Sequence, residues 1–209
     1  MKGVVTMWKR FKTWYGKNIS NRDARLREKY LDIRNHEVTI NDMDYFLAKA
    51  VIPDIPEILG IERSVYGGQT PWDDKAFQNE LSRKKDRFYL VLRRNDWLVA
   101  FIGCSLNFKT KDCHITNVAV APNFQNHGLG YFLVTKIIKK ARQLEYKKVT
   151  LEVRVSNTKA QKLYRTLGFQ DAGIKQGYYN GDHEDALNME LELDGTADAV
   201  VPDYDTEEK

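Results

Sequence analysis

Three features of this 209-residue sequence have residue types and spacing that could do chemistry. The first is the stretch 117–141, NVAVAPNFQNHGLGYFLVTKIIKKA, where Gly128 and Gly130 stand at the start of a long amphipathic helix. Unpaired N–H groups at a helix N-terminus carry partial positive charge and bind phosphate oxygens. Glycine there lets a ligand approach the backbone with no Cβ in the way. The second is Glu152, flanked by Leu151 and Val153 on a strand-like stretch, so that it points away from both. A carboxylate within reach of an ammonium group, directly or through water, can remove its proton. The third is Tyr164, a phenol able to donate a proton, since its ordinary pKa is about 10. Taken singly, each also has a plain reading: a tight turn, an ion-paired strand glutamate, a core aromatic.

The glycine loop fits neither common nucleotide-binding pattern. A Walker loop needs Lys-Ser/Thr after its second glycine, and Tyr131-Phe132 stands there instead. A dinucleotide fingerprint has three glycines in another spacing and an acidic strand end about 20 residues on, whereas Glu152 falls in mid-strand. What remains is a pyrophosphate loop of another kind.

The elements that must position these residues follow from periodicity and punctuation. Strands are expected at 37–41 and 45–50, joined by a turn at 41–44, and a helix opens at Pro53, Asp54 and Pro56 and runs to about Val65. A second helix is read from Thr70 as N-cap, with Pro71 in its first turn, to about Lys85. Strands at 87–94 and 97–107 are joined by Asn95–Asp96, and a third runs 113–120. Leu129, Phe132, Leu133, Ile137 and Leu144 keep helical period after the loop. A strand at 148–155, a helix at 157–167 ended by Gly168, and strands at 169–179 and 185–193 complete the body. The order ββααβββαβαββ predicts an α/β (α+β) fold, a mixed, mostly antiparallel sheet with helices packed on both faces.

Gln125-Asn126-His127-Gly128-Leu129-Gly130 matches the coenzyme A pyrophosphate loop of the GNAT superfamily, which reads Gln or Arg, two variable residues, Gly, any residue, Gly or Ala. The flanking sequence is closer still to one branch. Asn117-Val118-Ala119-Val120, Leu151 to Asn157 (LEVRVSN), Leu163-Tyr164, Leu167-Gly168-Phe169, Pro71-Trp72, Tyr178-Tyr179 and Glu184-Asp185-Ala186 resemble the ribosomal-protein-alanine N-acetyltransferase (RimI) family. The resemblance spans about residues 45–193.

That resemblance implies a GNAT fold, acetyl-CoA as acetyl donor, and a site residue by residue. Val118, Ala119 and Val120 would offer backbone groups to the pantetheine arm, and Gln125, Asn126, His127, Gly128, Leu129, Gly130 and Tyr131 would wrap the pyrophosphate. Asn157 would contact the cofactor further along, Glu152 would be the general base and Tyr164 the general acid. Tyr178 and Tyr179 would line the acceptor groove. The family often has arginine where this chain has Asn126 and Tyr131, so two cationic contacts to phosphate are absent while backbone donors remain. Transfer to an amine needs a neutral nucleophile, a stabilised oxyanion and a protonated leaving thiolate. With no Ser-His-Asp arrangement readable and neither cysteine in a family catalytic position, direct attack on the thioester is expected.

Composition narrows the remaining possibilities. Hydrophobic residues at 42% and charged residues at 30% describe an ordinary globular protein. No apolar run approaches the roughly 20 residues of a membrane span, and the first residues lack an uninterrupted export-signal core, so a cytoplasmic protein without a transmembrane segment is expected. Cys104 and Cys113 read as core residues, and His36, His114, His127 and His183 lack metal-ligand spacing, so no metal is expected. Charge gathers at the ends. Residues 1–36 carry ten Lys/Arg against three acids, a net of +7, with Val4, Trp8, Phe11 and Tyr15 at helical spacing. This basic extension could meet ribosomal RNA or an anionic surface, or pack on the protein itself. Residues 194–209 carry six acids against one lysine and too little apolar surface to order, leaving 37–193 as the acetyltransferase domain. For function, the resemblance favours a protein N-terminal α-amine as acceptor, the N-terminal alanine of a small-subunit ribosomal protein. The alternatives are a small-molecule or other protein amine, and a non-catalytic CoA-binding module.

Overall fold

The computed structural model describes residues 31, 33–68, 70–179 and 181–193. Its elements in chain order are β1 (His36–Ile40), β2 (Met43–Lys49), a 3-10 turn (Ile52–Asp54), α1 (Ile55–Val65), α2 (Asp74–Ser82), β3 (Arg87–Arg94), β4 (Trp97–Asn107) and β5 (Asp112–Val120). A second 3-10 turn (Pro122–Phe124) leads to α3 (Leu129–Gln143), β6 (Lys148–Arg154), α4 (Thr158–Thr166), β7 (Gln170–Lys175) and β8 (Ala186–Glu192). The order of strands and helices is the expected one. The acidic tail at 194–209 and residues 1–30 of the basic extension lie outside the described residues.

Local chemistry explains the boundaries. Asn41–Asp42 and Asn95–Asp96 all take positive φ, the two-residue hairpin geometry that Asn and Asp tolerate. The first turn is therefore tighter than the expected 41–44. The second helix also corrects the sequence reading: its N-cap is Asp73, whose carboxylate accepts the Ala76 N–H at 2.8 Å, not Thr70. A carboxylate is as good an N-cap as a hydroxyl, and two candidates three residues apart cannot be ranked by local preference alone.

The strands form one eight-stranded sheet in the order β1-β2-β3-β4-β5-β6-β8-β7, and only β5–β6 is parallel. Two apolar layers cover it. On one face α3 sends Leu129, Phe132, Leu133 and Ile137 onto Leu90, Ile102 and Val149, with Tyr164 of α4 in the same core. On the other face α1 and α2 bring Ile55, Ile58, Phe77 and Leu81 against Tyr89, Val91 and Phe101. Leu31 is buried in the first core and Ile33 packs against it, so the packed body reaches into the segment read as an extension. Cys104 and Cys113 are free and buried there, as core cysteines. No helix among the described residues is long and apolar enough to cross a membrane.

Two irregularities shape the middle of the sheet. Gly103 pairs with Asn117 and Cys104 with Ile115, so Thr116 has no opposite residue and β5 bulges. A Cβ on Gly103 would lie inside the Tyr89 ring, whose hydroxyl meets Asn117 Oδ1 at 3.0 Å and Thr116 Oγ1 at 3.2 Å. Beyond the bulge the sheet parts. The β5–β6 ladder runs only from Asp112↔Lys148 to Ile115↔Leu151, although β5 continues to Val120 and β6 to Arg154.

Candidate active site

The parting of β5 and β6 brings the sequence-predicted residues to one place from several elements. Val118, Ala119 and Val120 form the β5 side, past the last ladder pair. Backbone groups facing the gap have no β6 partner and can serve an extended ligand as a neighbouring strand would. The loop after β5 is held by its own side chains: Gln125 Nε2 donates to the Val120 carbonyl at 3.2 Å, and Asn41 Nδ2 donates to the His127 carbonyl at 3.1 Å. Asn126 and Gly128 both take positive φ, and Gly128 is the left-handed N-cap of α3. The helix's own ladder begins with the Phe132 N–H to Gly128 carbonyl bond at 2.9 Å, so the Leu129, Gly130 and Tyr131 N–H groups precede it. That end carries no acidic residue in its first turn, which leaves the dipole's positive end to an anion. A Cβ on Gly130 would meet Leu163 of α4 at 3.6 Å and Val120 at 4.0 Å, so loop, strand end and α4 converge.

Asn157 is the N-cap of α4, its Oδ1 accepting the Ala160 N–H at 3.1 Å. Its oxygen thus holds the start of α4, and its amide nitrogen adds two N–H donors there.

Glu152 is the first residue of β6 past the ladder, and β6 alternates so that Leu151 and Val153 are buried behind it. Its carboxylate is closely held. Oε1 pairs with Lys175 Nζ at 2.6 Å, and Oε2 lies 3.1 Å from His114 Nε2 and 3.4 Å from the Tyr178 hydroxyl. Burial favours its protonated form, but the hydrogen bonds and charges of His114 and Lys175 outweigh this and hold its pKa at about 2. His114 Nδ1 lies 2.9 Å from Thr150 Oγ1, which donates to Asp112 Oδ1 at 2.9 Å. Tyr178 and Tyr179 meet edge to face at 5.2 Å, and the Arg154 guanidinium covers Tyr179 at 4.1 Å from its ring centre. Tyr164 is buried, its ring 5.8 Å from Phe169. Burial, then the Tyr66 and Tyr179 hydroxyls, push its phenol well above the ordinary range.

The sequence reading missed His114, Thr150, Lys175 and Arg154. The register His114↔Thr150 and the antiparallel return of β7 through β8 place them, and both are long-range facts with no local signature. Arg154 is fixed by Glu184 at 2.6 Å and Asp182 at 2.7 Å, which anchors the β7–β8 loop to the end of β6. Hydrogen bonds from Ser156 and from Arg154 hold the Glu184 carboxyl at about 2. Among the described residues, no group of three or more His, Cys, Asp and Glu is placed to hold a metal ion.

Comparison with known proteins decides what this arrangement belongs to. The sequence matches the Acetyltransferase (GNAT) family over residues 53–169. The chain belongs to the GNAT acetyltransferase family. It is 33% identical to the [ribosomal protein bS18]-alanine N-acetyltransferase of Salmonella typhimurium, over 67% of this chain and 92% of that one. It is 32% identical to the N-alpha-acetyltransferase RimI of Mycobacterium tuberculosis, over 62% of this chain and 80% of that one. The crystal structure of the ribosomal-protein-S18-alanine N-acetyltransferase from Escherichia coli superposes with a TM-score of 0.65 at 26% identity, covering 75% of this chain and 98% of that one. This GNAT protein is an acetyl-CoA-dependent N-acetyltransferase of RimI type, with acetyl-CoA as its acetyl donor. The start of α3 carries backbone N–H groups ahead of its first ladder bond, and those donors suit an anionic donor molecule without Lys or Arg at positions 126 and 131.

Proposed function

We propose that this acetyltransferase acts on the α-amine of a protein N-terminus, the N-terminal alanine of a small-subunit ribosomal protein, by direct attack on acetyl-CoA. One observation carries the reaction: Glu152 is placed where β5 and β6 part, beside Tyr178, with the cofactor loop at the far end of the same gap. The acceptor is supported by the Salmonella relative, a [ribosomal protein bS18]-alanine N-acetyltransferase matched over 92% of its length.

In this reading the pantetheine arm lies against Val118–Val120, and the pyrophosphate sits on the N–H groups from Asn126 to Tyr131. The N-terminal residue packs beside Tyr178 and Tyr179, whose rigid rings give apolar area at little entropic cost. Its ammonium gives a proton to Glu152, and the neutral amine attacks the thioester carbon. Backbone N–H groups of the parted β5 meet the developing oxyanion. The tetrahedral intermediate collapses with loss of the coenzyme A thiolate, which takes a proton from the Tyr164 hydroxyl, and the second proton released by the amide nitrogen restores the phenol. A phenol of raised pKa is a weak acid towards water, yet it still serves a thiolate formed in a dry cleft. The basic extension is assigned to docking on an anionic surface such as the ribosome.

The test is to incubate the protein with acetyl-CoA and an alanine-initiated peptide, the same peptide with a blocked N-terminus and an added lysine, and spermidine. Mass spectrometry should find the acetyl group on the free α-amine alone. Acetylation of lysine or spermidine, with the free α-amine untouched, refutes the acceptor assignment.

A further inference from the structure

Glu152 has a neighbour on β8 that the proposed reaction does not use. β6 and β8 run antiparallel in a register that sets Asn188 directly opposite Glu152. Residues paired in this way point to the same face, with Cβ atoms about 4.5–5.5 Å apart. Leu187 and Met189 on either side of Asn188 turn to the other face and are buried in the core there, while Asn188 is half-buried. Its carboxamide is unused by the fold. Oδ1 is buried without a donor, and no hydrogen bond engages the amide nitrogen among the described residues. A buried oxygen with no donor costs stability that an apolar side chain would not. With the oxygen turned inward, the NH2 group is the outward end of the carboxamide, on the face that carries Glu152.

The space beside Asn188 is kept open. The β7–β8 ladder passes from Asp171↔Met189 to Ile174↔Leu187, so Ala172 and Gly173 together oppose Asn188 in a bulge. Gly173 takes φ +111°, and a Cβ built on it would meet nothing within 4 Å. At that position β7 therefore offers no side chain longer than a methyl group. On the same face the Tyr178 hydroxyl stands 3.4 Å from Glu152 Oε2.

We propose, resting on the α-amine of a protein N-terminus as acceptor, that Asn188 is a specificity-determining residue: its amide N–H donates to the carbonyl oxygen of the acceptor's first residue while Glu152 holds the amine. The spacing suits both contacts. In an aminoacyl unit the nitrogen and the carbonyl oxygen are separated by two carbon atoms and lie about 3 Å apart, within reach of two side chains paired on one face. A lysine side chain carries its amine on a four-carbon stem, and a polyamine has no carbonyl, so neither engages both groups at once. Glu152 and Asn188 together read an amine with a carbonyl on the adjacent carbon, and the β7 bulge leaves room for the chain that follows.

The experiment compares two alanine-initiated peptides, identical except that sulfur replaces the first carbonyl oxygen in one. Sulfur is a weak acceptor, so the exchange removes one hydrogen bond and keeps the amine. For wild type, kcat/KM should fall about 3- to 10-fold with the thio-peptide, the worth of one such bond. Asn188→Leu should raise KM for the oxygen peptide by the same factor with kcat nearly unchanged, since the contact is made both before and during transfer. In that variant the sulfur exchange should cost nothing further. Its Tm should rise by about 2–6 °C, because a buried oxygen without a donor is gone, and acetyl-CoA affinity by calorimetry should stay at the wild-type value. A residue that only packs the sheet would not move the oxygen–sulfur difference. An equal oxygen–sulfur ratio in wild type and Asn188→Leu, or a wild-type KM in the variant, overturns the role of Asn188 and leaves the α-amine as acceptor. Acetylation of a lysine peptide or spermidine, with the α-amine of neither peptide modified, overturns the acceptor assignment and the role of Asn188 with it.

Discussion

Gly128 and Gly130 are two residues apart, yet the structure gives them opposite tolerance to a methyl group. Gly128 sits at φ +85°, in the left-handed region, and a Cβ there would stand 2.9 Å from Asn41 Nδ2. The backbone term for a non-glycine residue in that region is about 1–2 kcal/mol. Asn41 is exposed and can swing away, but only by giving up its bond to the His127 carbonyl, worth about 0.5–1.5 kcal/mol. Gly128→Ala should therefore destabilise the protein by roughly 2–3 kcal/mol. Gly130 has ordinary helical φ, and its added Cβ would touch Leu163 at 3.6 Å, a normal van der Waals contact. Gly130→Ala should leave stability unchanged or raise it by up to about 1 kcal/mol, through helix propensity. At about 2–4 °C per kcal/mol for a domain of this size, the two variants should differ in Tm by roughly 5–15 °C. Scanning calorimetry of both in one buffer is the assay. If Gly128→Ala melts with wild type, the left-handed cap and the Asn41 tether do not hold the loop.

Four further outcomes are expected. Gly130→Glu should abolish acetyl-CoA binding in a calorimetric titration, because it adds a carboxylate and a long stem at the helix start assigned to the pyrophosphate; unchanged binding removes the loop assignment. Tyr164→Phe should lower kcat with no recovery at high pH, since base does not help protonate a thiolate; wild-type turnover would leave Tyr164 as a core aromatic. Burial raises the Glu62 carboxyl to about 7, against a backbone hydrogen bond from Trp72 that lowers it. A carboxyl raised on folding favours the neutral form, so the folded state loses stability as pH climbs from about 4.5 through 7; Glu62→Gln should gain on wild type by the order of 1–3 kcal/mol between pH 5 and 8 in urea melts, and a constant difference refutes this. Deleting residues 1–30, which spares the buried Leu31, should weaken salt-sensitive binding to ribosomes and leave short-peptide acetylation intact; lost peptide activity would make the segment part of the fold.

The parts of the fold that sequence makes legible are those set by neighbours along the chain. The β3–β4 hairpin is legible to the residue because Asn95–Asp96 stands between two β-branched and aromatic runs, and α3 because its apolar residues keep one period. The left-handed turn at Gly128 is legible for the same reason, as glycine is favoured where φ is positive. The surroundings of Glu152 are not. His114 stands 38 positions before it in sequence, and Lys175 comes from a strand on the far side of β8. Nothing local records that β5 and β6 run parallel in one register, or that they stop pairing after four residue pairs. The α2 cap misleads for the converse reason: Thr70-Pro71 is good local chemistry, and so is Asp73, which is the residue that caps the helix.

Sheets are dangerous at their borders, because a row of unpaired N–H and C=O groups invites any passing strand. The parting of β5 and β6 creates such a border in the middle of the sheet, flanked by strands on both sides and by the α3 and α4 layer. Because the two strands rejoin at Ile115 and Leu151, the opening is a wedge closed at one end, and this border lies within the sheet, whereas β1 and β7 are its exterior borders among the described residues.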